Sequence, residues 1–494
     1  MAASEGGLSS ARYAGERSYQ EIRDVVSSDH YQNDVAQRHR RRSTLSGSHP
    51  IHSDREFDVT SALQLPAGSR PASSGSPRSE SAAGSETAGL AAEGFETTPR
   101  AEPLPFGLDQ ALDLRLPDLI ATRRFLHAHP ELSGQEFETA ALVARELSAA
   151  GLAPRLLPKG NGVICDVEGR SDGPVVALRA DLDALPLTDL KDVPYRSTVD
   201  GACHACGHDV HTTIVLGVGL LLARLAEQGE LDGRVRLIFQ PAEEILPCGS
   251  LEVIEAGGLT DVSQIFALHC DPNLPVGRIG LRVGPITAAA DNITVRLTGP
   301  GGHTARPHLT VDLVDALGRL VTEVPALVNR RVPANSGLLL VFGQASAGTR
   351  YNVIPNEAMA AGTLRVLDRD TWEQAPKIVT QVVRDVVAPT GAAVDVEYLR
   401  GRPPVVNDAH AIRILTAATV ATLGPDGAAE TPQSMGGEDF SWYLEHVPGA
   451  LARLGVGRAA ADVDLHRATF DVDERAIAVG IRLLVQTALT ALAG

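Results

Sequence analysis

The sequence predicts an α/β protein in which helices cover a mostly parallel sheet, and in which a two-layer α+β domain is inserted into the chain. Three observations support this prediction. Short β-rich runs alternate with amphipathic helices in the first half of the folded sequence, which is typical of a parallel sheet. Polar clusters follow these runs directly. From about residue 289 the order of elements changes to β-α-β-β-α-β, which indicates a second, smaller domain.

Length and composition limit the class of protein. The 494 residues are too many for one small core, so two or three domains are expected. Hydrophobic residues make up 44% and charged residues 21%, a profile typical of soluble globular proteins. The formal net charge of −17 argues against nucleic acid or an anionic membrane as a partner. Five cysteines, an odd number, do not form a disulfide framework and indicate a reducing cytoplasm.

The N-terminal part, residues 1–105, is expected to be a disordered extension. Ser, Ala, Gly, Pro and Glu dominate Pro66–Glu102, and this composition cannot bury enough apolar surface to offset chain entropy. The basic run Arg38–Arg42 has no hydrophobic region after it, so it does not form a twin-arginine export signal. The longest apolar run, Ile214–Ala223, is too short to span a bilayer. The protein is therefore predicted to be cytoplasmic.

The folded sequence divides into a main domain, formed by 106–288 and 402–494, and an inserted domain, 289–401. The first helix carries apolar residues at helical spacing and must end before Pro130, and Gly151 closes the second. Helices are predicted over Asp118–Ala128, Glu136–Ala150, 209–226, Asp312–Val324, Trp372–Val387 and Ala409–Leu423. Strands are predicted over Val163–Val167, Val175–Leu178, Val235–Phe239, Ile265–Leu268, Asn292–Leu297, Gly337–Gly343, Ala360–Val366 and Val394–Tyr398.

The stretch Gly201–Thr213 is dense in potential metal ligands, with two cysteines and three histidines. Thiolate and imidazole groups suit a borderline-soft divalent metal. A structural zinc loop, or core cysteines beside surface histidines, would give the same composition. Ligands of open α/β sheets bind outside the carboxyl ends of the strands. The polar clusters at those ends therefore help to decide among a metal site, a structural zinc loop and core cysteines. These clusters are Asp181 with Asp183, Glu243 with Glu244, and His269.

The clusters predict a metal centre in one crevice together with Cys206 and His208. With Glu244, His269 and a late histidine, these two residues would supply five side chains of mixed softness. Five ligands exceed the four of a closed structural zinc site and fit two metals with an open position for water. In the adjacent glutamate pair, one carboxylate would bind metal while its neighbour takes a proton from water. The alternative for that pair is a solvated turn or a helix N-terminus.

Ten motifs occur in order over residues 116–493. They are HAHPELSGQE (127–136), RADLDALP (179–186), HACGHDVHTT (204–213), FQPAEE (239–244), LHCDP (268–272), GGHTARPH (301–308), RYNVIPNEA (350–358), GTLR (362–365), MGGEDFSWYL (435–444) and HRATFDVDE (466–474). Over this range the chain resembles the aminoacylase/carboxypeptidase G superfamily of metallohydrolases. It is most similar to the amidohydrolase branch, which contains hippurate, N-acyl-amino-acid and auxin-conjugate hydrolases.

The resemblance implies two divalent metal ions at the sheet edge, with zinc or manganese favoured and cobalt or nickel possible. The metal ligands implied by the motifs are Cys206, His208, Glu244, His269 and His466, with Cys206 as the bridge. Glu243 matches the general base that activates a metal-bridging water. Asp181 matches a position where related branches have a histidine ligand, and Asp183 matches one where they have an orienting carboxylate. We expect both to support the ligands.

The resemblance also makes residues 289–401 a lid and dimerisation domain, so a homodimer is expected. Its His303 matches a histidine that polarises the scissile carbonyl, often from the partner subunit. Asn352 and Arg365 match positions that hold the substrate carboxylate. A planar guanidinium can bind a carboxylate through two parallel hydrogen bonds. The implied activity is hydrolysis of an N-acyl or N-aminoacyl amide bond next to a free carboxylate, in a small-molecule N-acyl amino acid or peptide-like substrate.

Two departures from the family pattern bear on the acyl-group preference. Cys203 stands where family members usually have Met, and Arg467-Ala468 stands where Ser-Pro is usual. A dipeptidase or a biosynthetic deacetylase of the same superfamily is one alternative function. The other is a metal-stabilised binding protein without turnover, although the chain retains every implied ligand and Glu243.

Overall fold

The computed structural model describes residues 103–457 and 464–493. The predicted disordered extension, residues 1–105, lies outside the described residues except for its last three. The helices are α1 (Leu108–Ala128), α2 (Phe137–Ala149), α3 (His208–Glu227), α4 (Gly249–Glu255), α5 (Leu313–Asn329), α6 (Arg369–Val387), α7 (Ala409–Leu423), α8 (Ser441–Leu444) and α9 (Arg475–Ala493).

The strands, in chain order, belong to two main sheets and two short pairs. They are β1 (Arg155–Leu156), β2 (Val163–Glu168), β3 (Val175–Asp181), β4 (Arg234–Gln240), β5 (Val262–Pro275), β6 (Ile279–Leu281), β7 (Gly284–Thr287), β8 (Ala289–Thr298), β9 (Gly302–His303), β10 (Leu339–Ala347), β11 (Val353–Ile354), β12 (Glu357–Val366), β13 (Ala393–Arg402), β14 (Val405–Asn407), β15 (Ala428–Glu430) and β16 (Gly449–Gly457).

The larger sheet has eight strands in the order β1-β2-β4-β3-β5-β16-β6-β15. β3 is parallel to both β4 and β5, and β16 is parallel to β5, so the carboxyl ends of these strands meet at one edge. Every residue of β3 is buried, as expected for a parallel strand covered on both faces. Helices α1, α3 and α9 form one core around Leu178 and Ile481, and a smaller core around Ile238 and Tyr443 covers the other face. The predicted fold class is confirmed.

The smaller sheet has four antiparallel strands in the order β10-β12-β8-β13, with α5 and α6 packed on it. The buried carboxylate of Asp291 joins its elements. It accepts hydrogen bonds from the Trp372 indole on α6 (3.0 Å) and from the Tyr398 hydroxyl on β13 (2.6 Å). Residues 289–402 therefore have a sheet of their own, in the predicted order of elements. That they form a separate domain that acts as a lid stays a prediction.

Several elements differ from the sequence-based expectation, and two of them belong to the core. Helix α1 begins at Leu108, not at Asp118, and continues through Pro117, because its first turns bury apolar side chains in the core. The central strand β16 had no predicted counterpart. It is buried on both faces and rich in small residues, so it lacks the alternation that identifies a strand. Its first residue, Gly449, lies so close to β5 that a Cβ would overlap the carbonyl oxygen of Ile265.

Among the described residues, α3 and α9 are long and apolar enough to cross a membrane by length and composition. The expectation from the run Ile214–Ala223 is corrected here, because α3 extends that run to 20 residues. The core of the protein buries 78% of the apolar window of α3 and 56% of that of α9. Buried core helices meet the same criterion, so the two helices are weak indicators of a membrane span.

Candidate metal centre

Cys206 and His208 lie where α3 begins. Gly207 between them has φ +88°, and a Cβ there would lie 2.8 Å from the Sγ of Cys270. Glycine is the residue that fits both the left-handed backbone and this close approach. Burial raises the pKa of the Cys206 thiol well above its usual value, and a bound metal ion would favour the thiolate.

The structure brings all five predicted ligands together. The Sγ of Cys206 lies 3.6 Å from Nε2 of His269. Oε1 of Glu244 lies 3.8 Å from Nε2 of His208 and 3.3 Å from Nε2 of His466. The donor atoms form two groups that could each hold a metal ion, Cys206 with His208 and His269, and Cys206 with Glu244 and His466. Cys206 belongs to both groups, as a bridging ligand would.

The hydrogen bonds of the histidines leave their Nε2 atoms free for a metal. Nδ1 of His208 donates to the carbonyl oxygen of Asp183 (2.9 Å), and Nδ1 of His269 donates to that of Cys270 (2.8 Å). A carbonyl oxygen only accepts, so both Nε2 atoms carry lone pairs in the neutral ring. Nε2 of His208 and Oε1 of Glu244 are buried without a hydrogen-bond partner. Buried acceptors that converge without donors fit the implied metal ions.

Asp183 links two of these ligands. Its Oδ1 lies 3.2 Å from Nδ1 of His208, while its Oδ2 accepts hydrogen bonds from the backbone N–H of Glu244 (2.9 Å) and the Ser133 hydroxyl (2.6 Å). Burial raises the pKa of Asp183, but the hydrogen bonds from His208 and Ser133 bring it below the usual value. The carboxylate is therefore charged and fixes the orientation of both ligands.

Asp181 and His211 support the cluster in a different way. Oδ1 of Asp181 accepts a hydrogen bond from Nδ1 of His211 (2.7 Å), and its Oδ2 accepts one from Arg179 (2.7 Å). Nε2 of His211 accepts the backbone N–H of Cys270 (2.9 Å). Both ring nitrogens of His211 are thus occupied, so His211 is not free to bind a metal ion. Oδ2 of Asp181 still lies 3.6 Å from Nε2 of His208.

The Glu243 carboxylate lies between the predicted ligands His208 and Glu244 on one side and Arg402 on the other. Its Oε1 accepts a hydrogen bond from the backbone N–H of Asp439 (3.3 Å) and lies 3.7 Å from the Arg402 guanidinium, which also donates to the Glu243 carbonyl oxygen. Burial raises the pKa of Glu243 well above its usual value, Arg402 opposes the shift, and Glu438 and Glu244 add to it. A carboxyl group with a raised pKa can accept a proton and return it near neutral pH.

Two strained backbone positions hold the ends of the cluster. Ala242, just before the glutamate pair, has φ +52°, and its N–H donates to Oε1 of Glu136 (2.7 Å). His466 has φ +61°, and its N–H donates to the carbonyl oxygen of Ala205 (2.8 Å). Residues other than glycine adopt this region at an energetic cost, and they do so mostly at functional sites.

The sequence analysis assigned no role to a buried network beside the cluster. The Arg179 guanidinium contacts Glu438 (3.1 Å), Asp439 (2.7 Å) and Gln240 (2.9 Å), in addition to Asp181. Burial raises the pKa of Asp439 to about 6, although Arg179 opposes the shift. The signal was present in the sequence as an acid pair after two glycines, in the motif GGEDF.

The predicted substrate-binding residues divide into two locations. His303 is exposed on β9, which pairs with β11, and the carbonyl oxygen of Asn352 accepts the N–H of Thr304 (3.3 Å). Among the described contacts, neither His303 nor Asn352 touches the metal cluster of its own chain. Arg365 is half-buried near Arg402, with its guanidinium 3.3 Å from where a Cβ of Gly437 would stand.

Cys203 belongs to a separate buried cluster. Its Sγ lies 3.6 Å from Nζ of Lys191, which forms an ion pair with Asp189 (2.8 Å). Nε2 of His127 lies 3.4 Å from Asp189, and its Nδ1 lies 2.7 Å from Asp209. Burial lowers the pKa of His127, but Asp209 raises it to about 10. His127, Asp189 and Cys203 could hold a metal ion by distance alone, but the Lys191 ammonium already supplies positive charge there.

The sequence profile of peptidase family M20/M25/M40 matches residues 177–490. The chain belongs to this family. A Bacillus subtilis protein named N-acetylcysteine deacetylase is 37% identical over 385 residues, which are 78% of this chain and 98% of the relative. A crystal structure described as a dinuclear metal-binding peptidase of the M20 family, also from Bacillus subtilis, has 36% identity and a TM-score of 0.68 and covers 77% of this chain and 99% of its own.

A Rhodococcus jostii protein whose name describes a glutamate–cysteine ligase is 47% identical over 368 residues, or 74% of this chain. The chain spans only 46% of that relative's length, so the relative's name describes a protein of which more than half is not matched by this chain. Family membership confirms the metallohydrolase resemblance. The protein is a metal-dependent amidohydrolase. The roles of individual residues stay predictions.

We expect Asp183→Asn to weaken metal binding about 10- to 100-fold, because it removes the charge that orients His208 and Glu244. The measurement is the metal retained per chain after dialysis against a graded series of chelator concentrations. Asp395→Asn, an exposed change on β13, is the matched control and should retain metal like the wild type. Unchanged retention in a folded Asp183→Asn protein would contradict the role given to Asp183.

Proposed function

We propose that this protein hydrolyses N-acyl or N-aminoacyl amino acids at the amide bond next to their free carboxylate. The support is the division within the adjacent glutamate pair. The Glu244 carboxylate lies among thiol and imidazole donors, whereas the neighbouring Glu243 carboxylate contacts Arg402 and the backbone N–H of Asp439 and has a raised pKa. One carboxylate therefore binds metal while its neighbour handles a proton, which is the arrangement that metal-assisted amide hydrolysis requires.

When bound, the two metal ions would polarise the scissile carbonyl and lower the pKa of water. Cys206, His208, Glu244, His269 and His466 would hold them. Glu243 takes a proton from the attacking water and passes it to the leaving amine. The guanidinium of Arg402 contacts the carboxylate and the backbone carbonyl of Glu243 and so holds the base in place.

Arg365 is the group that binds the substrate carboxylate. It is half-buried close to Arg402, and no carboxylate of the described residues pairs with it. Burial lowers the pKa of Arg365, and the charge of Arg402 lowers it further. A guanidinium in this situation gains from an anionic ligand, and its planar fork suits a carboxylate.

The protein is proposed to be a homodimer in which His303 completes the partner's site. His303 lies exposed on β9 and makes no described contact with the cluster of its own chain. β10 is an edge strand of the smaller sheet and exposes Leu339 and Val341, which suits pairing with a second copy.

Zinc or manganese is proposed as the native metal, because the Cys206 thiolate favours zinc and the carboxylate admits manganese. Elemental analysis of protein purified without added metal decides between them. A cytoplasmic location is proposed from the five free cysteines, all buried and none in a disulfide. Cell fractionation tests the location, and recovery outside the cytoplasm would contradict it.

Glu243→Gln should lower kcat about 10²- to 10⁴-fold while the metal content stays at the wild-type level, because the amide cannot accept the proton. The measurement is kcat on the best N-acyl amino acid, together with metal per chain. Glu323→Gln, on the exposed surface of α5, is the control and should keep full activity. If the Glu243→Gln protein retains activity, another residue is the base.

A substrate panel tests the proposed function and the role of Arg365 together. It compares N-acetyl, hippuryl and p-aminobenzoyl-glutamate compounds, dipeptides, and the carboxamide of the best substrate. The wild type should prefer the free carboxylate to the carboxamide, and Arg365→Met should remove most of a preference of about 10- to 100-fold. Best activity on dipeptides would favour the dipeptidase alternative. No turnover across the panel at full metal loading would indicate a binding protein.

Mixing two inactive variants tests the role of the partner subunit. Glu243→Ala and His303→Ala chains, unfolded together and refolded as an equal mixture, should recover about a quarter of wild-type activity. The reason is that about half of the dimers are mixed and each mixed dimer has one complete site. Sedimentation of the same sample reports the dimer. A dimer without any recovery would rule out His303 acting on the partner's site, and a monomer would rule out the homodimer.

A further inference from the structure

Arg453 is a buried cation at the edge of the metal centre that the proposed mechanism does not use. It is only 9% exposed, and on β16 it lies directly opposite His269 of β5. Side chains at paired positions of neighbouring strands share one face of the sheet. Arg453 therefore lies on the face where Nε2 of His269 approaches the Sγ of Cys206 at 3.6 Å.

The neighbouring strand leaves room for this side chain. β6 pairs with β16 on the other side, and Gly280 stands opposite Arg453. A Cβ at Gly280 would lie 3.0 Å from the Cβ of Arg453, closer than such atoms normally approach. Because Gly280 has no side chain, the Arg453 side chain has room to extend along the surface of the sheet.

The guanidinium of Arg453 has no ion pair or hydrogen bond with the described residues. The negative charges of Glu438, Asp271 and Cys206 act on it, but Cys206 is a predicted metal ligand and one oxygen of each carboxylate is engaged elsewhere. Oε1 of Glu438 forms an ion pair with Arg179 (3.1 Å) and accepts a hydrogen bond from the N–H of Phe440 (2.9 Å). Oδ1 of Asp271 accepts a backbone N–H two residues along the chain (2.9 Å). A buried charge without a hydrogen-bonded counterion is costly, so this position favours an anion.

Arg453 and Arg365 lie on opposite flanks of the cluster. The strand order is β4-β3-β5-β16, so three strand spacings, about 14 Å, separate the strand before Glu243 from the strand that carries Arg453. Arg365 lies on the Glu243 side, beside Arg402, which contacts the base. Two cations without a described carboxylate partner therefore border the place where an amide substrate would be cleaved.

We propose that Arg453 binds a carboxylate carried by the acyl group of the substrate, opposite the amino-acid carboxylate held by Arg365. The favoured substrates are then N-acyl amino acids whose acyl group comes from a dicarboxylic acid. This inference rests on the proposed amide hydrolysis, and it adds the chemical class of the acyl group.

The test compares the N-succinyl and N-butanoyl derivatives of one amino acid, which match in acyl length and differ in the terminal carboxylate. The wild type should favour the succinyl compound in kcat/KM. In Arg453→Met the succinyl-to-butanoyl ratio should fall about 10- to 100-fold, the range for charge-assisted hydrogen bonds. Arg453→Lys, which keeps the charge but loses the planar fork, should retain part of the preference. Arg384→Met, an exposed change on α6, is the matched control and should keep the wild-type ratio.

Two results would overturn the proposal. One is a wild type that does not prefer the succinyl compound. The other is an Arg453→Met variant that loses metal, or that slows both substrates by the same factor, since Arg453 would then act on the metal cluster and not on the acyl group.

Binding to inactive protein separates this proposal from the proposed function. Calorimetric titration of both compounds into metal-loaded Glu243→Gln, with and without Arg453→Met, does not depend on turnover. Tighter binding of the succinyl compound that is lost with Arg453→Met supports the acyl-carboxylate site, even if no N-acyl amino acid is hydrolysed. Equal binding of the two compounds overturns it, even if hydrolysis is observed.

Discussion

The geometry of the metal centre depends on the hydrogen bonds that the Asp183 carboxylate accepts. This carboxylate follows β3, and it joins a histidine at the start of α3 to the backbone of the glutamate pair after β4. Because the group is buried and accepts several hydrogen bonds, it stays charged and rigid. His208 and Glu244 are held in one geometry although about 35 residues separate them in the chain.

Several buried ion pairs lie beside the predicted metal ligands. Arg179 compensates Asp181, Glu438 and Asp439, and Arg402 lies against Glu243. Yet two acceptor atoms of the predicted ligands, Nε2 of His208 and Oε1 of Glu244, remain without donors. Such groups are costly in a folded protein unless a cation meets them, so metal binding supplies charge that the fold alone leaves out. The same reasoning links Arg365 and Arg453 to an anionic substrate.

The hydrogen bonds of the imidazole rings distinguish the predicted metal ligands from the histidines that only support them. Position in the chain distinguishes them less clearly. His208 and His269 each donate Nδ1–H to a carbonyl oxygen and turn Nε2 inward, whereas His211 uses both nitrogens on protein groups. Cys206 and Cys203 differ in a similar way, since one meets the histidine cluster and the other meets the Lys191 ammonium. Three positions along the chain thus separate a predicted metal ligand, Cys206, from Cys203, which belongs to an internal ion cluster.

The sequence by itself determined the order of elements, the parallel sheet and the convergence of the strand-end clusters, because these follow from periodicity and from residues local in the chain. Cys206 and the four partners implied by the family motifs also lie together in the structure, and their roles as metal ligands stay predictions. Tertiary structure alone decided the central position of β16, whose small residues carry no strand pattern, and the burial of Arg453 opposite His269. Strand pairing between distant segments set both, and no local pattern reports which residues become neighbours across a sheet.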